Sequence, residues 1–142
     1  MNNRLLQADV QHYILTHRQE QPAAIALKKS PFADVASSEL AAQVDGWQRC
    51  VSKLPTWAFS DQIFYPPKLN LEQCSSEHTA LIKQQIIRKG ARVIDLTGGF
   101  GVDSCYMAQH GEQVIHCELN ENLSTIVAHN AQALGVQNLT CI

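Results

Sequence analysis

Along the first half of the chain, apolar residues return at helical spacing. Leu6, Val10, Tyr13 and Ile14, with His17, make one face of a first helix. The segment "PAAIALKKS" places Pro22 where a helix accepts proline as its first residue, and Pro31 follows its end. A longer third helix starts at Ser37 or Ser38, either of which suits a cap. It runs through Leu40, Val44, Trp47, Val51 and Leu54 until Pro55 stops it. Gly46 inside it costs about 1 kcal/mol relative to alanine. Residues 1–56 therefore read as a helical module.

Residues 57–70 break this periodicity. Prolines mark both ends of the stretch "PTWAFSDQIFYPPKLN", which holds Trp57, Phe59, Phe64 and Tyr65. Aromatic rings in such a connector either plug a seam between two modules or offer a stacking surface for a planar ligand. Pro66-Pro67 reads as a turn.

From residue 71 the pattern changes again. "SSEHTALIKQQIIRKG" is a helix capped by Ser75 or Ser76, with Leu81, Ile82, Ile86 and Ile87 apolar and Gly90 placed to end it. A strand follows at Val93 to Leu96, then a helix at Val102 to His110 and a strand at Val114 to Glu118. A helix at Glu121 to Leu134, closed by Gly135, leads into a strand at Leu139 to Ile142. Alternation of this kind, with strands that are continuously apolar, predicts a parallel sheet covered on both faces.

Composition narrows the function classes. The 142 residues are 45% hydrophobic and 17% charged, ordinary for a globular protein with one modest core. Net charge is −2, and the basic residues gather only as the pairs Lys28-Lys29 and Arg88-Lys89, so composition carries no footprint for nucleic acid. The N-terminus "MNNRLLQADVQHY" has neither an apolar core nor a cleavage site of a leader, and no apolar run is long enough to span a membrane. A cytoplasmic protein is expected. Five widely spaced cysteines without a C-x-x-C pair read as reduced thiols, and the six histidines lack ligand spacing, so no metal is expected.

The chemistry sits at "RVIDLTGGFGVDSCYMAQHG", Arg92 to Gly111. Ligands of parallel sheets lie beyond the carboxyl ends of the strands, where Asp95 and Glu118 fall. Gly98, Gly99 and Gly101 separate strand from helix, where a missing Cβ lets a ligand touch backbone and lets the chain turn at positive φ. Glu118, about twenty residues on, is placed to accept both hydroxyls of a ribose. A dinucleotide site needs G-x-G-x-x-G, but "GFGVDS" has Ser104 at its third glycine, and Asp95 would face a pyrophosphate unfavourably. A ligand with an amino group and no phosphate, such as S-adenosylmethionine, suits Asp95 better.

"VIDLTGGFG" resembles motif I of class I S-adenosylmethionine-dependent methyltransferases, and "VIHCELN" resembles their second motif. The resemblance covers about Leu71 to Ile142 and implies a Rossmann-like domain of which residues 71–142 are the truncated first half. It implies a cofactor site at Asp95, Thr97, Gly98, Gly99 and Gly101, with Glu118 on the ribose and Leu119 against the adenine. Thr97 departs from the glycine frequent at its position. "YPPKLNLEQCSSEHTA" and "KLPTW" are similar to uncharacterised bacterial methyltransferases with a helical N-terminal region and a THUMP-like domain. In the more distant trimethylguanosine-synthase-like group, T-P-E stands where this chain has Ser75-Ser76-Glu77, which extends the implied site to Ser76 and Glu77.

The resemblance thus implies an α/β methyltransferase with RNA as the acceptor and catalytic residues beyond Ile142, so the 142 residues alone are expected to be inactive. Two alternatives stand beside it: a non-catalytic nucleoside-binding or protein-interaction module, and an NAD-type dinucleotide-binding domain. The first strand, left without a neighbour on one side, is expected to promote self-association.

Overall fold

The computed structural model describes all residues from Met1 to Ile142. A short 3-10 turn leads into α1 (Ala8–Thr16), α2 (Pro22–Leu27) and α3 (Ser37–Lys53). Along α3 the residues at helical spacing, Leu40, Val44, Trp47 and Cys50, are buried, and Leu54 just past its end is buried too. The cap differs from expectation. Ala36 is the N-cap residue, and its N–H donates to the Glu39 carboxylate at 2.8 Å. Ser37 is free to donate instead to the carbonyl of Lys28 at 2.6 Å, which ties the start of α3 to the end of α2.

Gly46 has a packing reason. A Cβ there would lie 2.3 Å from Cβ of Tyr65, so the helix gives up about 1 kcal/mol of propensity to let the connector lie against it. Two short helices bracket that connector, α4 (Pro55–Ala58) and α5 (Lys68–Gln73), neither of which the sequence pattern suggests. Between them Phe64 and Tyr65 lie outside any helix or strand and are buried. Gln43 on α3 accepts from the Tyr65 N–H and donates to the Tyr65 carbonyl, both at 2.9 Å. Asn130 in the chain's last helix does the same for Phe64, also at 2.9 Å. Two side-chain amides therefore supply the hydrogen bonds that a sheet would otherwise give this buried backbone. Trp57, Phe64 and Tyr65 are buried in the core, whereas Phe59 is exposed.

The remainder alternates as expected: α6 (Glu77–Ile86), β1 (Arg92–Asp95), α7 (Val102–His110), β2 (Gln113–His116), α8 (Glu121–Ala133) and β3 (Leu139–Cys141). The strands are parallel in the order β1-β2-β3, with Ile94 opposite Ile115 and Ile115 opposite Thr140. Each strand ends one or two residues earlier than its apolar run. Helix α6 stops at Ile86, not at Gly90, which instead makes a turn at φ +77° and donates to the His110 carbonyl at 2.8 Å.

One expectation is corrected here. The sheet is covered on one face only. Helices α7 and α8 cover the face that carries the buried Val114 and His116, while the opposite face shows Ile94 at 60% exposure. Helix α6 packs on α7 through Ala80 and Gln84 and turns Leu81, Ile82 and Ile86 outward. A core cluster of 25 residues runs from Leu5 to Ala131 and joins the helical part to the inner faces of α7 and α8.

Candidate functional site at the carboxyl ends of the strands

Asp95 closes β1 and Glu118 lies two residues beyond β2, so both acids sit at the same end of the parallel sheet. Between β1 and α7 the chain turns through three glycines, each for its own reason. At Gly98 a Cβ would fall 2.0 Å from the ring of His116, so this position is bare because a buried imidazole occupies the space. Gly101, the N-cap of α7, stands at φ +76°, and a Cβ on it would strike Val127 at 2.4 Å. Gly99 stands at φ +53° with nothing within 4 Å of an added Cβ. Its left-handed turn faces open space, and the N–H groups of Gly99 and Phe100 donate to nothing in the chain. The turn thus presents free backbone donors, which suits a polar ligand.

Asp95 is already engaged. Its Oδ1 accepts from the Thr97 N–H at 3.2 Å and its Oδ2 from the Ser104 hydroxyl at 2.6 Å. With that proton given to the carboxylate, Ser104 accepts from Nδ1–H of His116 at 3.0 Å. His116 is fully buried, its Nε2 has no partner, and burial pushes its pKa below the ordinary value against the pull of Asp95 and Glu118. A neutral imidazole protonated on Nδ1 fits all three observations, and it fixes the floor of the glycine turn.

Glu118 spends one oxygen on the Asn120 N–H at 2.8 Å and keeps the other free. Leu119 beside it is 102% exposed, an apolar side chain that nothing in the chain covers. Both observations fit a nucleoside: a free carboxylate oxygen for hydroxyls and an apolar surface for a base.

A cavity of about 280 Å³ opens at the glycine turn. Thr97, Gly98 and Gly99 line it together with Asn70, Ser75 and Asp103. Lys83 donates to Asp103 at 2.6 Å and to Ser75 at 2.9 Å, and Ser75 donates to the same Asp103 oxygen at 2.9 Å. The other oxygen of Asp103 is buried without a partner and so has acceptor capacity to spare. Sequence reasoning missed this trio. Only the α6–α7 packing brings Lys83 of α6 and Asp103 in the first turn of α7 together.

Asp95, Gly101, Glu118 and Leu119 lie along the strand ends outside that cavity. Ser76 and Glu77, which the resemblance places at the site, are hydrogen-bonded within the chain. Ser76 caps α6 by accepting from the Thr79 N–H at 3.2 Å. Glu77 takes the Thr56 N–H at 2.8 Å and the Thr56 hydroxyl at 2.6 Å, clamping α4 to α6. No cluster of three or more His, Cys, Asp or Glu could hold a metal ion, and no helix is long and apolar enough to cross a membrane.

No protein-family profile matches the chain, and no curated protein matches it. Solved structures do. A protein of Porphyromonas gingivalis W83 described as a candidate methyltransferase is 28% identical and aligns with 98% of this chain at a TM-score of 0.82. The chain spans 35% of that protein's length. An rRNA methylase of Streptococcus thermophilus is 20% identical, with a TM-score of 0.41 over 46% of this chain and 39% of that one. Trm5b of Pyrococcus abyssi is 21% identical, with a TM-score of 0.44 over 58% of this chain and 23% of that one. These two partial overlaps add nothing to the assignment. The first match extends through the helical part as well as the sheet, and the chain therefore has the α/β, Rossmann-like fold found in a candidate methyltransferase.

Proposed function

We propose that these 142 residues are the donor-binding part of an S-adenosylmethionine-dependent methyltransferase whose acceptor is RNA. The observation that carries the reading is the arrangement at the strand ends. Glu118 has a free oxygen, Leu119 stands bare beside it, and the Gly99 turn offers unpaired N–H groups next to Asp95. S-adenosylmethionine would supply an electrophilic methyl group on a sulfonium. The residues present would hold its ribose at Glu118, its adenine at Leu119 and its amino-acid end near the glycine turn and Asp95. The RNA acceptor rests on the resemblance to THUMP-like methyltransferases, and the residues that align and deprotonate an acceptor are proposed to lie beyond Ile142.

A dinucleotide is the weaker reading. Asp95 and Ser104 form a 2.6 Å hydrogen bond where that site would need neutral backbone around a pyrophosphate.

Calorimetric titration with S-adenosylhomocysteine tests the proposal. Hydrogen bonds to a charged group contribute roughly 1.5–3 kcal/mol each, so Glu118→Ala should weaken binding about tenfold or more. Unchanged affinity removes Glu118 from the site. NADH binding without S-adenosylhomocysteine binding favours the dinucleotide reading instead.

A further inference from the structure

The half-buried arginines of this chain are paired, with one exception. Arg4 donates twice to Asp9 at 2.6 Å and once to Asp34 at 3.0 Å. Arg49 donates to Asp45 at 2.6 Å and to Glu72 at 3.4 Å. Arg18 is half-buried as well, yet its guanidinium makes no ion pair, and its Nε is enclosed without an acceptor. It lies over the ring of Trp47, 4.7 Å from the centroid. The ring face offsets part of the cost of desolvating the charge but accepts none of the five N–H donors in the usual sense. Burial lowers the pKa of Arg18 against the fields of Tyr65 and Asp61, and a guanidinium stays charged regardless.

Arg18 opens onto a cavity of about 440 Å³ beside α1, lined also by Gln11, His12, Ser60, Asp61 and Tyr65. That volume is within the range of small-molecule sites. Its neutral side chains keep acceptor capacity free. Gln11 spends its Nε2 on the Leu5 carbonyl at 2.7 Å and leaves its Oε1 unused. Ser60 donates to the Thr56 carbonyl at 2.7 Å and leaves its lone pairs. The loop carrying Ser60 and Asp61 is held in shape: Gln62 stands at φ +62°, and its carbonyl is fixed by Nε2 of His129 at 2.7 Å. An unneutralised guanidinium beside neutral acceptors fits an anion that also brings hydroxyl donors.

We propose that this cavity binds the phosphate ester of a nucleotide, with Arg18 holding the phosphate and Gln11 and Ser60 accepting from the ribose hydroxyls. The choice of a nucleotide over other sugar phosphates rests on the methyltransferase reading; the need for phosphate and hydroxyls does not. A free nucleotide and one nucleotide of an RNA strand offer the same groups. Asp61 is the resident competitor, exposed and close enough to act on Arg18 without closing an ion pair.

Calorimetric titration of the 142-residue chain with uridine monophosphate and with a short oligouridylate tests this, uridine being chosen because adenine could enter the strand-end site. Binding should weaken about tenfold or more in Arg18→Gln, survive in part in Arg18→Lys and tighten several-fold in Asp61→Asn. Equal affinity for both probes assigns the site to a free nucleotide, and tighter oligouridylate binding assigns it to a strand. No binding of either probe up to about 1 mM, or binding that Arg18→Gln leaves intact, overturns the proposal even where S-adenosylhomocysteine binds. Arg18-dependent binding without S-adenosylhomocysteine binding keeps this site and removes the methyltransferase reading. If Arg18→Gln does not fold, Asp61→Asn decides, and no gain in affinity sinks the idea.

Discussion

The helical half and the sheet half of this chain differ in how far their apolar faces find partners. Val10, Ile25, Leu40, Val44, Leu54 and Trp57 are closed off almost completely from water. In the second half Ile86, Ile94, Leu96 and Leu119 are largely exposed, and β1 has no strand on its outer side. The difference is one of partners, since both halves carry similar apolar residues. The helices of the first half find one another and the connector, whereas the sheet and α6 each have one face served and one face bare. A hydrophobic pattern says which face of an element favours burial. It does not say whether the partner lies within the same 142 residues.

The largest expected effect strikes the closed half. Trp57→Ala removes a buried ring that also meets Tyr106 of α7 at 5.8 Å, and should cost about 3–5 kcal/mol in urea unfolding. A loss under about 1 kcal/mol would show that the helical half is looser than its packing implies. Next comes the glycine turn. Gly98→Ala drives a methyl into the fully buried His116 ring and should cost about 1–3 kcal/mol and displace the turn. Gly99→Ala meets no atom and should cost only the left-handed strain of about 1–2 kcal/mol. Equal or reversed losses would mean that the His116 contact does not decide the position.

A smaller effect is expected from pH. Burial holds the pKa of His116 below its ordinary 6.5, so the folded state binds fewer protons there than the unfolded state. Its contribution to stability is complete above pH 6.5 and is lost as the pH falls toward the depressed folded value. His116→Asn should flatten that part of the stability curve, measured by urea midpoints from pH 7 down to about 5. An unchanged slope would assign the loss to other groups. The smallest change in stability belongs to the bare face, where Ile94→Thr should stay within about 0.5 kcal/mol. Its readout is association: we expect the chain to self-associate in sedimentation at about 100 μM, and the variant to shift toward monomer. A monomeric parent chain would remove this face as a contact.

What the sequence made legible follows from the range of each cause. Alternating apolar runs and glycines are local signals, and they located all three strands and the helices between them. The position of Asp95, Glu118 and the glycine cluster at one end of the sheet was legible because apolar runs mark where parallel strands stop. The reason for Gly98 was not, because it depends on a histidine eighteen positions away across the sheet. Gly46 read as a cost until Tyr65 was seen against it, and the Lys83–Ser75–Asp103 cluster exists only through helix packing. Nor was the engagement of Glu77 by Thr56 legible, since it depends on α4 lying against α6.

The side-chain amides that hold the connector also set a clock. Asn130 completes the hydrogen bonding of Phe64 from 66 residues downstream. At ~5–20 residues per second on the ribosome, roughly 3 to 13 s pass between the synthesis of Phe64 and that of its partner. Gln43 is already made and can take up Tyr65 in that interval, but the neighbouring backbone stays open until α8 arrives. During synthesis the Phe64 backbone therefore waits seconds for its partner, and α8 is what completes its hydrogen bonding.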